Sequence, residues 1–163
     1  KNFSLLLNCF ASIKKKHNKY HLLILGSGEQ ESILKKIIQD LGISNSVDLL
    51  GFKENPYKYL NKAECFILSS LWEDPGFVLL EAAYLNIPII ASNCPNGPAE
   101  ILQNSSGGFL FKNNNKNELI QAFESFYQSS KIDLKIKKIK VKKYSKKFTK
   151  FSHFKNIQKI IEV

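Results

Sequence analysis

Apolar residues fall at Phe3, Leu6, Leu7, Phe10 and Ile13, a spacing of three and four that predicts an amphipathic helix from Phe3 to about Lys16. It closes in Lys14, Lys15 and Lys16, cations that suit the negative end of a helix. HLLILGSGE breaks the pattern: an unbroken apolar run stopped by Gly26 and Gly28 predicts a strand buried on both faces. Helical spacing returns from Glu29 to Leu41, with Gly42 placed as its C-terminal cap. VDLLG then predicts a strand, NPYKYLNKA a short helix and ECFILSS a second buried strand. Phe77 to Leu85 predicts a helix, PIIAS a strand, GPAEIL a short helix and GGFLF a last strand. Asn117 to Tyr127 is helical in pattern, as are two lysine-rich amphipathic stretches after it.

Short buried strands alternating with helices predict an α/β fold, a Rossmann-like, doubly wound and mostly parallel sheet covered on both faces. The 163 residues fit one domain with a core that needs no staples. Successive units share no repeat, and KNNNKN at 112–117 is a loop too short to act as a linker. No apolar run approaches the roughly eighteen residues of a membrane span. Cys9, Cys65 and Cys94 are odd in number and lack paired spacing, so buried thiols in a reducing compartment are expected. The chain opens on Lys1, Asn2 and Phe3 with no charged-then-apolar leader, which fits a cytoplasmic location.

Charge changes the picture of possible partners. The net charge is +10 and every cation is lysine, a point charge rather than a bidentate fork. Much of the excess lies in KIDLKIKKIKVKKYSKKFTKFSHFKN, either a solvated helix face or a surface drawn to an anionic membrane or anionic substrate. No recognition helix, RNP signature, GxxG clamp or zinc pattern accompanies it, so no nucleic acid is expected as a partner. His17, His21 and His153 do not cluster and are expected at the surface or a strand edge, without a metal site.

Two stretches carry chemistry. Gly26-Ser27-Gly28 follows a strand and precedes a helix, so its backbone N–H groups can approach a phosphate or ribose. The third glycine of a dinucleotide fingerprint is absent, since Glu31 stands there, and a plain tight turn is the competing reading. The second stretch is more specific. ECFILSS places Ser69, Ser70 and Glu73 at the carboxyl edge of the sheet, where open α/β folds bind ligands. Asp74-Pro75-Gly76 makes a turn, and the helix from Phe77 offers unsatisfied N–H groups to an anion, with Glu81 about one turn further on. A purely structural role would make Glu73 a helix cap and Glu81 a solvated carboxylate. Trp72 beside Glu73 is open to packing under a ligand, to a core position or to a hinge.

From Tyr20 to Leu110 the chain resembles the carboxy-terminal, donor-binding domain of a GT-B glycosyltransferase of the retaining family 4 type. The matching pieces run in order: LLILGSGE, VDLLGF, AECFILSSLWEDPGFVLLEAAYLNIPIIAS, NGPAEIL and GGFLF, with Glu73 and Glu81 as the two glutamates with seven residues between them. The resemblance implies that Glu81 accepts from the ribose hydroxyls of a nucleotide-sugar, most often a UDP- or GDP-sugar, and that Glu73 holds donor-sugar hydroxyls. It places the amides of Gly76, Phe77 and Val78 at the sugar or distal phosphate, Ser70 and the Gly26–Gly28 turn at the donor, and Gly51 and Phe52 beside the nucleobase. Lys1 aligns with a lysine that holds the diphosphate, so Glu73, Glu81 and Lys1 form the expected catalytic set. No metal and no cofactor are expected, the nucleotide-sugar being the substrate.

The resemblance also implies a missing first strand, mid-sheet in this fold, and a missing amino-terminal domain that binds a glycan or lipid-linked acceptor. On that reading residues 1–163 form one nucleotide-sugar-binding domain, a fragment inactive alone, whose last helices at about 131–163 pack on the missing half. CPNGPAEIL resembles transferases of bacterial surface-polysaccharide synthesis, which with the basic tail implies peripheral attachment at the inner membrane face. Retention in the family is ascribed to front-face displacement, with both glutamates positioning the donor. A retaining glycosidase would instead set two carboxyls about 5–5.5 Å apart across one bond. A non-catalytic nucleotide-binding module or a GT-B sugar-nucleotide epimerase would also suit a doubly wound domain of this kind.

Overall fold

The computed structural model describes residues 1–161. Helix α1 spans Phe3–Lys16, followed by strand β1 (Leu22–Leu25), helix α2 (Glu31–Asp40) and strand β2 (Val47–Gly51). A short helix α3 (Tyr57–Leu60) leads to strand β3 (Phe66–Leu68), helix α4 (Phe77–Tyr84) and strand β4 (Ile89–Asn93). Helix α5 (Pro98–Ile101), strand β5 (Phe109–Lys112) and helices α6 (Lys116–Gln128), α7 (Lys131–Ser145) and α8 (Lys150–Ile161) complete the order. Every strand is parallel to its neighbour, each reached by a helical crossover, which gives the expected α/β fold.

The sheet differs from a continuous one. β1 pairs with β2, while β3, β4 and β5 form a separate sheet in that order. Between the two lies a cleft of about 1010 Å³ bordered by all of Leu22–Leu25 and all of Phe66–Leu68. Side chains alternate faces along a strand, so a cavity touching every residue of β1 and β3 lies along their edges rather than over one face. Among the described residues, those two edges have no strand partner.

Helix α1 ties the halves together. Its Leu7, Phe10 and Ala11 pack with Ile24, Leu34, Ile38 and Val47 around β1 and α2. Its Leu6, Cys9 and Ile13 pack instead with Ile90, Phe111, Leu119 and Phe123, joining β4, β5 and α6. A third cluster sits on the opposite face of the larger sheet, where Leu79, Ala82, Ile89, Leu102 and Val141 connect α4, β4, α5 and α7. Each apolar cluster is buried, and at about 25 cal/mol per Å² the burial of such side chains is the dominant stabilising term.

Local signals explain three helix ends. At α2, Gly42 has φ +66°, its N–H bonds Gln39 O at 2.9 Å and the Ile43 N–H bonds Ile38 O at 3.1 Å, a Schellman ending. The Asn115 side chain accepts from the Glu118 N–H at 3.0 Å to start α6, and Ser130 accepts from the Asp133 N–H at 3.1 Å to start α7. No helix among the described residues is long and apolar enough to cross a membrane.

Candidate functional site

The carboxyl ends of β1 and β3 meet the mouth of the cleft. Gly26 follows β1 and its N–H donates to the carbonyl of Gly51, the last residue of β2, at 2.9 Å, so the ends of the two strands are fastened to each other. Gly26 has φ +117° and Gly51 φ +68°, both left-handed backbone that other side chains resist. Gly26, Ser27 and Gly28 border the cleft, and a Cβ on Gly28 would meet nothing within 4 Å, so the backbone there is open to a ligand. Phe52 is 73% exposed, with its ring in solvent next to Gly51.

After β3 the chain turns through Ser69–Gly76. The Ser69 hydroxyl donates to the Lys1 carbonyl at 2.9 Å, which places the start of the chain at this edge. Glu73 is only 6% exposed, and its Oε1 accepts from the Ser70 hydroxyl at 2.5 Å and from the Lys1 ammonium. No partner contacts Oε2 among the described residues, and no buried side-chain oxygen is left unsatisfied, so Oε2 keeps access to solvent. Charge-assisted bonds of this kind are roughly twice as strong as neutral ones, and together they fix one lobe of the carboxylate.

This loop is held from behind. The Ser92 hydroxyl at the end of β4 donates to Ser70 O at 2.7 Å, and the Asn113 side chain donates to Leu71 O at 2.8 Å. The Glu73 N–H donates to Pro95 O at 3.3 Å, and Gly97 packs so closely that an added Cβ would lie 1.9 Å from Pro75 O. Sequence reasoning missed Ser92, Asn113 and Gly97, because their partners are about twenty or more residues away and no local spacing marks them. Cys94 lies in the same region; burial pushes its thiol up, and the nearby Glu73 charge acts in the same direction.

Helix α4 then starts at Gly76, which has φ +83° and wraps around Glu73, a Cβ there lying 3.5 Å from Glu73 Cγ. The Gly76 carbonyl accepts from the Leu79 N–H at 2.9 Å, while the first-turn amides of Phe77 and Val78 belong to the unsatisfied donors of any helix start. Val78 and Glu81 border the cleft with Lys1, Ser70, Gly26 and Gly28.

The cleft thus gathers most of the expected residues into one region, with differences in rank. Glu73 lies buried beside the cleft mouth, with Oε1 held by Lys1 and Ser70. Ser70, expected at the donor, is fully buried and its hydroxyl is committed to Glu73, because the tight turn folds the carboxylate back over it. Glu73 does not cap α4: that helix has no side-chain cap bond, and the carboxylate faces Ser70 and Lys1. Trp72 is 60% exposed, which removes the core reading. His17 is not a free surface residue either: its ring lies 4.1 Å from that of Tyr127 and its Nε2 bonds Glu124 at 3.2 Å. No cluster of His, Cys, Asp or Glu able to hold a metal occurs among the described residues.

A parallel α/β domain with paired glycine turns and a carboxylate-lined edge beside a helix start is the architecture of the GT-B donor-binding half. Residues 1–147 match the model of the family described as glycosyl transferases group 1, and the chain belongs to that family. It is 31% identical over 150 residues to the N-acetylgalactosamine-N,N'-diacetylbacillosaminyl-diphospho-undecaprenol 4-alpha-N-acetylgalactosaminyltransferase of Campylobacter jejuni, covering 92% of this chain and 40% of that one. An uncharacterized glycosyltransferase of Methanocaldococcus jannaschii is 41% identical over 97 residues, 60% of this chain and 24% of the other. The chain therefore spans well under half the length of these relatives. Among solved structures, TarM superposes with TM-score 0.86 at 21% identity, covering 100% of this chain and 33% of that one. Anabaena HepE in complex with UDP gives TM-score 0.86 at 20% identity, covering 99% and 45%.

Proposed function

We propose that this chain is the donor half of a retaining glycosyltransferase of the family 4 type that moves a sugar from a UDP-sugar to a glycan or lipid-linked acceptor in surface-polysaccharide synthesis. The observation that carries this reading is the Lys1–Glu73–Ser70 cluster at the same cleft mouth as Glu81 and the start of α4. Glu81 receives the ribose hydroxyls, and the free Oε2 of Glu73 receives a hydroxyl of the donor sugar. The ammonium of Lys1 and the first-turn amides of α4 take up the diphosphate charge, which a helix N-terminus favours without a metal. Both glutamates position the donor, and the departing diphosphate draws the proton from the acceptor hydroxyl as the new glycosidic bond forms. The UDP in solved relatives supports the choice of nucleotide, and a relative named for a diphospho-undecaprenol substrate supports a lipid-linked acceptor.

The split sheet supports a second part of the reading. An extended strand leading into Lys1 fits between β1 and β3, parallel to both, because the Lys1 carbonyl already sits at the carboxyl end of β3. The acceptor is held by a further domain of the same polypeptide. Calorimetry on the protein at its natural length, with UDP-glucose, UDP-galactose, UDP-N-acetylglucosamine and GDP-mannose, tests the donor reading. Binding of a UDP-sugar that Glu81→Ala weakens at least about tenfold supports it; indifference to all four would overturn it.

A further inference from the structure

The loop KNNNKN stands at the carboxyl edge of the larger sheet, where β5 runs into α6. Its base is fixed at both ends. The Asn115 N–H donates to Lys112 O at 3.1 Å, and Glu118 Oε2 accepts from the Lys112 N–H at 2.7 Å. The two asparagines between these anchors reach two different segments. Asn113 Nδ2 donates to Leu71 O at 2.8 Å, and its Oδ1 accepts at 3.3 Å from the Ser92 hydroxyl, whose shorter bond goes to Ser70 O at 2.7 Å. Consecutive carbonyls of the turn that carries Glu73 are thereby tied to the ends of β4 and β5. Asn114 Oδ1 accepts from Asn2 Nδ2 at 3.0 Å, beside Lys1, whose own carbonyl is held by the Ser69 hydroxyl at 2.9 Å. Neighbouring side chains of one loop thus hold the backbone on both sides of the Lys1–Glu73 ion pair.

The residue type follows from these tasks. Bonding Leu71 O and Ser92 together needs a side chain that donates and accepts at once, as an amide does. Asn114 and Asn2 both stand in left-handed backbone, with φ 55° and 54°, which asparagine tolerates better than most residues. The pair they brace is unequal: Glu73 is buried, while the Lys1 side chain is 49% exposed. Fixing the backbone at Lys1 reduces the freedom its ammonium loses on meeting a carboxylate or a diphosphate.

We propose that Asn113 and Asn114 are positioning residues of the donor site. Asn113 sets Glu73 through the Ser70 and Leu71 carbonyls, and Asn114 sets Lys1 through Asn2. The assignment rests on the donor reading above and gives neither asparagine a contact with the donor.

Calorimetry on the protein at its natural length, with UDP and with the same four nucleotide-sugars, tests it. Asn113→Ala should weaken the nucleotide-sugar that binds by at least about threefold and leave UDP unchanged, because Glu73 meets only the sugar. Asn2→Gly and Asn114→Gly break one bond from either side without straining the backbone, since glycine accepts positive φ. Each should weaken UDP about threefold, and the two together no more than one alone. In a Glu73→Ala background Asn113→Ala should add no further loss, and in a Lys1→Ala background Asn114→Gly should add none. Losses that add fully in those backgrounds overturn the proposal, as does a lowered melting temperature with every affinity intact. A wild type that binds none of the five ligands overturns the donor reading and this one with it. Binding that Glu81→Ala weakens and the asparagine variants leave alone overturns the positioning roles only.

Discussion

Glu73 and Glu81 share one motif but occupy different positions. Glu81 borders the cleft and is half-buried, while Glu73 is folded under the turn with Oε1 committed to Ser70 and Lys1. Removing Ser70's hydroxyl frees the carboxylate without removing it. Ser70→Ala is therefore expected to raise KM for the donor several-fold while leaving the affinity for UDP alone unchanged, compared by kinetics and calorimetry. Gly97→Ala is expected to cost roughly 2 kcal/mol or more, because a left-handed backbone and a collision with Pro75 O combine; a shifted urea midpoint measures it. Cys9 gives a pH signature. Burial pushes its thiol up to about 11 from 9.0, so the folded chain disfavours the thiolate. The stability it contributes is complete below about pH 9 and is lost as pH rises toward 11, and Cys9→Ala should flatten that part of the urea-midpoint profile. At this scale the sequence identified the two glutamates and the glycine turns through their spacing. It could not place Oε1 against Ser70, because only the closed turn decides which oxygen is left free.

Elements were legible where caps and periodicity agreed. Gly42 after the α2 stripe is a Schellman ending, and Gly42→Ala should cost about 1 kcal/mol by forcing a Cβ into φ +66°. Asn115→Ala should likewise cost about 1 kcal/mol at the start of α6, read from the thermal midpoint, since it strips an N-cap bond. Short helices were harder to bound: NPYKYLNKA contains only Tyr57–Leu60 as α helix, and GPAEIL only Pro98–Ile101. Four-residue helices have no propensity signal of their own, and their ends are set by the strands they join. The two-sided character of α7 was invisible in its lysine count. It emerges only when Val141 is seen inside and Ile136 outside.

For the whole molecule, parallel topology followed from the alternation of buried strands and helices, whereas the gap in the sheet was legible only through the family resemblance, which implied an absent mid-sheet strand. Strand pairing is a long-range property, and nothing within LLIL or FIL tells whether its edge is filled. On the proposed reading that a strand leads into Lys1, backbone amides of β1 and β3 on the cleft side should exchange rapidly in the 163-residue chain and become protected when that strand is supplied; hydrogen exchange with mass spectrometry measures both. Equal protection in the two samples would mean that the slot closes without a strand. The slot has a cost for the molecule on its own. Two raw borders facing one another make every copy a receptor for any stray apolar ribbon, including one peeled from its neighbour. Such head-to-tail capture has no closing symmetry, so concentrated solutions of the bare chain would grow threads rather than settle as pairs.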